Sequence, residues 1–247
     1  MDPRTAGPIV PPRQLAAMPL HAITEVYGEA GLRGRLTLEL EHLLAADRDV
    51  VEAAATWAGV LHDRQRRTRE PYVNHVLRVA IRIACYYRIT DPEVLAAALL
   101  HDTVEDQPWR MTDRTPDGGP APRQDALTVL SGRFGPRVAG LVAAVTNPER
   151  TVGVDRHTQY LDHLRTSLTA DPWARVIKLS DFTDNGVGII HTVGPKLHSS
   201  ARKYTPAVPL LHELLDRPDT PLEPAVKDLI RRQLHLAESR FAAILAA

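Results

Sequence analysis

Two stretches of this chain begin in the same way, and they constrain the fold more than any other feature. Asp91-Pro92-Glu93 and Asp171-Pro172-Trp173 each place an aspartate before a proline. In that pairing the Asp side chain caps free backbone N–H groups and the proline fills the first helical position. VLAAALL follows the first start, and Val176, Ile177 and Leu179 follow the second, so each reads as a largely buried helix. The first reaches His101, the second Asp181, in each case ten residues after its aspartate. Both deliver a metal-capable side chain to the far end of a buried helix, where the negative pole of the helix dipole favours a cation. Apolar residues also recur at helical spacing elsewhere: Leu36, Leu38, Leu40, Leu43 and Leu44, then Val50, Val51, Ala54, Ala58 and Leu61, then Tyr72, Val76, Val79, Ala80 and Ile83. No stretch alternates convincingly as a strand would, so the expected fold class is all-α.

At 247 residues the chain can bury one sizeable core, and a single domain with extensions is expected. The first 20 residues hold five prolines and no period, so 1–25 reads as an irregular N-terminal arm before a domain over 26–247. A Pro/Gly-rich segment over 107–126 reads as a long loop insertion, either a lid or a floppy excursion. Further helices are expected over 126–145, interrupted near Phe134-Gly135-Pro136, and over 154–168, 199–215 and 222–247. Lys plus Arg and Asp plus Glu balance at 30 each, which argues against a nucleic-acid partner and makes any phosphate site local. The lone Cys85 has no internal disulfide partner, the N-terminus lacks a secretory pattern, and the longest apolar runs are far below a membrane span. A cytoplasmic protein without membrane association is expected; its oligomeric state stays open.

A His-Asp pair is weak evidence by itself, because the chain has two, His62-Asp63 and His101-Asp102. Context separates them. His101-Asp102 closes an apolar run and should lie near the core, where an ionisable pair needs a compensating charge. A divalent cation supplies it while satisfying imidazole nitrogen and carboxylate oxygen together. His62-Asp63 opens HDRQRRTRE and reads as solvated. Two more ligands are wanted, and His75 and Asp181 are the best placed. Mixed nitrogen and oxygen donors suit Mn, Fe, Co or Zn better than Ca or Mg. Glu105 and Asp106 follow the pair at a spacing of four, so a continuing helix would stack Glu105 over His101 and Asp106 over Asp102. Carboxylates there can hold or deprotonate an attacking water; the plainer alternative is two surface acids.

These residues resemble the HD superfamily, and within it the hydrolase domain of the RelA/SpoT alarmone enzymes and their small single-domain relatives. HDRQRRTREPYVNHVLRVA is similar to the family's His-x-x-Gln-x-Arg…Pro-Tyr-x-x-His-x-x-x-Val-Ala segment, carried by His62, Gln65, Arg67, Pro71, Tyr72, His75, Val79 and Ala80. AALLHDTVED matches the central motif, Phe134-Gly135 with VAGLVAAVT resembles the next family helix, and VIKLSDFTDN resembles Val-x-Lys-Leu-Ala-Asp-x-x-x-Asn. The resemblance covers core motifs over 53–185 in the family's order. It implies an HD-domain helical bundle in which His75, His101, Asp102 and Asp181 bind one Mn2+-type ion, Glu105 and Asp106 activate water, Arg67 contacts the nucleotide and Asn185 the ribose region. The implied reaction is hydrolysis of the 3′-pyrophosphate of guanosine tetra- or pentaphosphate, giving GDP or GTP and pyrophosphate. Phe182 and Asp184 depart from the family, which commonly has a basic residue and a His or Tyr there, so altered substrate contacts are expected. Two alternatives stand beside this one: an HD phosphohydrolase acting on another nucleotide, such as an adenosine alarmone or a nicotinamide dinucleotide phosphate, and a nucleotide- or partner-binding module without turnover. Retention of Glu105 and Asp106 argues against the module, since a pure binder needs no water activator.

Overall fold

The computed structural model describes residues 11–247, and among these it contains helices and turns but no strand beyond an isolated Arg66–Pro71 bridge. In chain order the helices are α1 (Pro12–Ala17), α2 (Leu20–Leu40), α3 (Ala45–Leu61), α4 (Val73–Cys85), α5 (Pro92–Leu100), α6 (Thr103–Asp106), α7 (Pro108–Met111), α8 (Arg123–Phe134), α9 (Pro136–Val145), α10 (Arg156–Ala170) and α11 (Pro172–Gly186). A 3-10 turn (Val187–His191) leads to α12 (Pro195–Tyr204), α13 (Ala207–Asp216) and α14 (Pro224–Ala246). No helix among the described residues is long and apolar enough to cross a membrane.

Three helices form the centre: α4, α5 and α11, which contact one another. Every residue of α4 from Val73 to Ala84 is buried, as are Val94–Leu100 of α5 and Ala174–Asp184 of α11. A helix buried on every face has to be enclosed, and here α2 packs on α4, α3 and α9 on α5, and α9 and α14 on α11. Both Asp-Pro starts behave as their chemistry requires. Asp91 accepts from the N–H groups of Glu93 and Val94, and Asp171 from those of Trp173 and Ala174, each cap contributing about 1 kcal/mol. Arg137 on α9 then donates to Asp91 and Glu93, fixing α9 against the start of α5. The expected interruption near residue 135 is present, because Gly135 has φ 90°, open to glycine alone, and Pro136 restarts the helix.

Several expectations need correction. The irregular arm over 1–25 is helical from residue 12; its first ten residues lie outside the described residues. Prolines at 12 and 19 sit at the first turn of α1 and just before α2, where a missing N–H costs nothing, so they start helices instead of breaking them. The helix expected over 199–215 is split into α12 and α13 around Thr205-Pro206. Within 107–126 the short α7 and the start of α8 leave 112–122 as the non-helical part. Asp181 does not end its helix, since α11 continues to Gly186.

Candidate metal centre

His75 comes from α4, His101 and Asp102 from the turn between α5 and α6, and Asp181 from α11, so all three central helices contribute. The ligand atoms of His75, His101 and Asp181 lie within 4.8 Å of one another. His75 Nε2 is 3.2 Å from Asp181 Oδ1 and 3.6 Å from Asp102 Oδ2; His101 Nε2 is 3.7 and 3.0 Å from the same two oxygens. The four residues predicted as ligands therefore converge.

The hydrogen bonds behind the imidazoles set their protonation. His101 Nδ1 faces the carbonyl of Ala98 at 2.8 Å, and His75 Nδ1 faces Asp184 Oδ2 at 2.8 Å. Both partners can only accept, so both Nδ1 atoms carry the proton and both Nε2 atoms turn a lone pair into the site. Those two Nε2 atoms are buried and lack a hydrogen-bond partner. Lone pairs thus face carboxylate oxygens at 3.0–3.7 Å, an arrangement that requires a proton or a cation between them. Although burial opposes it, Asp102 beside His101 raises that imidazole to about 10, and burial of Asp102 is likewise outweighed by His101, which holds the carboxyl well below its ordinary value. The residues fit a divalent cation, which would take the place of these protons.

A buried network supports the ligands. Asp184 is inaccessible to solvent and accepts from His75, from Arg78 Nε at 2.9 Å and from Arg82 Nη2 at 3.0 Å. Burial alone would raise its pKa, but Arg78, His75 and Arg82 keep it well below the carboxylate range. Arg78 also grips Glu70 through two bonds of 2.7 Å. Tyr72 donates to Asp102 Oδ2 at 2.5 Å, and Lys178 to Asp181 Oδ2 at 3.0 Å. These partners orient the ligands, and sequence reasoning missed their roles. A signal existed: His75, Arg78 and Arg82 share one face of a helix otherwise rich in apolar residues, and two buried arginines demand a buried acid on the facing helix.

Around the centre lies a cavity of about 1710 Å³ whose lining includes Asp102, Glu105, Asp106, Asp181, Arg67 and Asn185. Asn185 donates to Asp181 Oδ1 at 2.6 Å and accepts from Arg67 Nη2 at 3.0 Å, linking both predicted substrate contacts to a candidate ligand. Glu105 and Asp106 do not continue α5, because a turn at His101-Asp102 separates α5 from α6. Asp106 accepts from Gln65 at 2.7 Å, and burial with the nearby charge of Asp102 raises it to about 6. Glu105 accepts from Asn147. His62, expected in solvent, is buried: its ring stacks on Tyr72 and its Nδ1 donates to Gln65 Oε1 at 2.6 Å, while Asp63 alone faces solvent and pairs with Arg110. Of the two departures, Phe182 lies in the core against Tyr204 and Phe241, outside the cavity lining, and Asp184 has its carboxylate turned to His75.

A bundle of this kind, with paired histidines and aspartates gathered at its centre, defines a helical domain with a candidate metal site. The profile of the family described as HD domain matches residues 53–186, and the chain belongs to that family. Among curated proteins it is 34% identical over 132 residues to the Drosophila melanogaster guanosine-3′,5′-bis(diphosphate) 3′-pyrophosphohydrolase MESH1, and 36% over 131 residues to the Mus musculus protein of that name. Each alignment covers 52% of this chain and 63% of the relative. An Aquifex aeolicus guanosine-3′,5′-bis(diphosphate) 3′-pyrophosphohydrolase is 34% identical over 158 residues, 62% of this chain and 20% of that protein. The chain thus spans under two thirds of the fly and mouse relatives and about a fifth of the bacterial one. A solved structure described as "A metazoan ortholog of SpoT hydrolyzes ppGpp and plays a role in starvation responses" matches with TM-score 0.54 and 27% identity, covering 76% of this chain and 96% of that one.

Proposed function

We propose that this protein is a metal-dependent hydrolase that removes the 3′-pyrophosphate of guanosine tetra- or pentaphosphate, releasing pyrophosphate and GDP or GTP. The observation that carries the reading is the pair of buried, unpartnered imidazole Nε2 atoms facing two carboxylates, with Glu105 and Asp106 beside them in a cavity large enough for a nucleotide. Relatives named for this activity support the substrate. His75, His101, Asp102 and Asp181 would hold one divalent ion, with Mn2+ favoured by the mixed donors. Such an ion lowers the pKa of water and polarises a phosphoryl oxygen. Asp106, its carboxyl raised above the ordinary range yet still mostly ionised at neutral pH, is suited to take the proton of the attacking water, and Glu105 to orient that water. Arg67 and Asn185 hold the nucleotide, and their mutual hydrogen bond sets its position relative to Asp181. A nucleotide substrate of this class fits a cytoplasmic protein.

The test is direct. Protein stripped of metal and reloaded with Mn2+ is given guanosine tetraphosphate, and the products are resolved. Pyrophosphate and GDP are expected, with production lost in Asp181→Asn and Asp106→Asn. Absence of pyrophosphate from loaded wild-type protein refutes the reading, and turnover of another nucleotide in the same panel redirects it.

A further inference from the structure

Glu105 emerges from α6 with one of its carboxylate oxygens already engaged. The backbone N–H of Asn147 donates to Glu105 Oε2 at 3.0 Å, and the Asn147 side-chain amide donates to the same oxygen at 2.9 Å. Among the described residues Glu105 Oε1 has no hydrogen-bond partner, so it is the oxygen left for a ligand. Asn147 makes this contact at a cost: its own Oδ1 is buried without a donor. An asparagine serving only a turn would satisfy that oxygen locally; here the amide orientation is dictated by the carboxylate it faces.

Asn147 is in turn held. Arg123 Nη1 donates to the Asn147 carbonyl at 2.6 Å, and Arg123 Nε lies 3.7 Å from Glu149 Oε1. Asn147 lies just beyond α9 and Arg123 opens α8, directly after the non-helical 112–122 stretch. Glu105 precedes that stretch, so the chain Glu105–Asn147–Arg123 closes the base of the segment that separates α6 from α8. All three residues line the cavity that contains Asp102 and Asp181. A glutamate side chain is otherwise free about several bonds, and an acid that must meet a reacting water needs that freedom removed.

We propose that Asn147 is a positioning residue for Glu105, fixing the carboxylate through Oε2 so that Oε1 faces the reaction, with Arg123 anchoring the clamp to the start of α8. The inference rests on the hydrolytic reading of Glu105 given above. Its test uses the full chain loaded with Mn2+ and guanosine tetraphosphate, comparing Asn147→Ala, Asn147→Asp, Glu105→Gln and the double variant Asn147→Ala/Glu105→Gln. Asn147→Ala should lower kcat roughly tenfold, within the roughly 10²-fold that loss of orientation near a reacting centre can cost, with KM and calorimetric Mn2+ affinity within about twofold of wild type. Asn147→Asp should lose more, because two carboxylates then face each other. The double variant should be no slower than Glu105→Gln alone. Loss in Glu105→Gln with none in Asn147→Ala, or multiplying losses in the double variant, overturns the inference while leaving the hydrolytic reading intact. Full turnover by Glu105→Gln overturns the inference together with the role given to Glu105, while the hydrolysis itself stands. A readout independent of any substrate is deuterium exchange at the Asn147 backbone N–H, which should be slow in wild type and faster in Glu105→Ala; equal exchange removes the clamp whatever the protein hydrolyses.

Discussion

His75 Nδ1 and Asp184 Oδ2 lie 2.8 Å apart, both shielded from solvent, so that a carboxylate on α11 decides which nitrogen of a histidine on α4 can bind a metal. Outer partners of this kind typically change metal affinity by about 10–100-fold when removed. Asp184→Asn keeps the shape but lowers the basicity of the ring and leaves Arg78 and Arg82 without their shared anion. Calorimetric titration of the metal-free variant with Mn2+ should show affinity reduced about tenfold or more. Unchanged affinity would mean that Asp184 serves the two arginines alone.

Lys178 and Asp181 form a second coupled pair, with the ammonium buried 3.0 Å from the carboxylate of this candidate ligand. Although burial opposes it, the Asp181 charge raises the lysine above its ordinary value. Removing the acid strands a buried cation, for which about 3–5 kcal/mol of stability is the usual cost. Asp181→Ala should therefore unfold at lower urea than wild type even without metal, and Lys178→Met/Asp181→Ala should recover much of the loss. If the double variant is no more stable than the single, the pair is not energetically coupled.

How legible the molecule was in its sequence depends on where the information sits along the chain. The Asp-Pro caps and the apolar runs behind them are local signals, and α5 and α11 start where they should because capping is settled within three residues. The four candidate ligands were also readable, through ordered motifs. What escaped was what depends on another helix. His62 looks solvated in the string HDRQRRTRE, yet the stretch after α3 folds back so that Gln65 and Tyr72 enclose the ring. Asp184 reads as a family departure, and its partners lie more than 100 residues earlier in the chain. Prolines at 12 and 19 counted as breakers because their positions relative to helix starts cannot be seen without the helices.

Asp106 supplies a dependence on pH. Burial and the neighbouring Asp102 raise it to about 6, while Gln65 pulls it down by donating to the charged form. If Asp106 accepts the proton of the attacking water, kcat/KM should fall as pH drops through roughly this region, since the base is then protonated. Gln65→Ala removes the donor to the carboxylate, so the acid limb of the profile should move to higher pH. A limb that stays in place when Gln65 is removed assigns it to another group.

His21 should govern stability in a separate window. Burial lowers its pKa from 6.5 to about 4, against an opposing pull from Asp184. Between those values the unfolded chain binds a proton that the folded protein refuses, so stability is fullest above about pH 6.5 and declines as pH falls towards 4. The decline attributable to this residue is at most about 3 kcal/mol. His21→Gln should flatten the stability curve from pH 6.5 to 4 relative to wild type, measured by urea unfolding at fixed ionic strength. Parallel curves would assign the decline to other buried histidines.

Phe182 separates a structural reading of the family departure from a catalytic one. Its ring is 2% exposed and makes edge contacts with Tyr204 at 5.7 Å and Phe241 at 6.2 Å, while Tyr204 lines the cavity and Phe182 does not. Gly186, one turn further along α11, is tight against the same cluster: a Cβ there would come within 3.1 Å of Phe182 and 3.2 Å of Phe241. Phe182 thus joins α11 to α12 and α14, and its side chain is one layer removed from any nucleotide. Phe182→Ala should cost about 3–5 kcal/mol, as large aromatic truncations in closed cores do. Phe182→Leu should cost less and leave the relative kcat/KM for guanosine tetraphosphate and competing nucleotides unchanged at temperatures where both proteins are folded. A change in that ratio with Phe182→Leu would give the departure a part in substrate choice, transmitted through Tyr204; an unchanged ratio with lowered stability confines it to holding the C-terminal helices on α11.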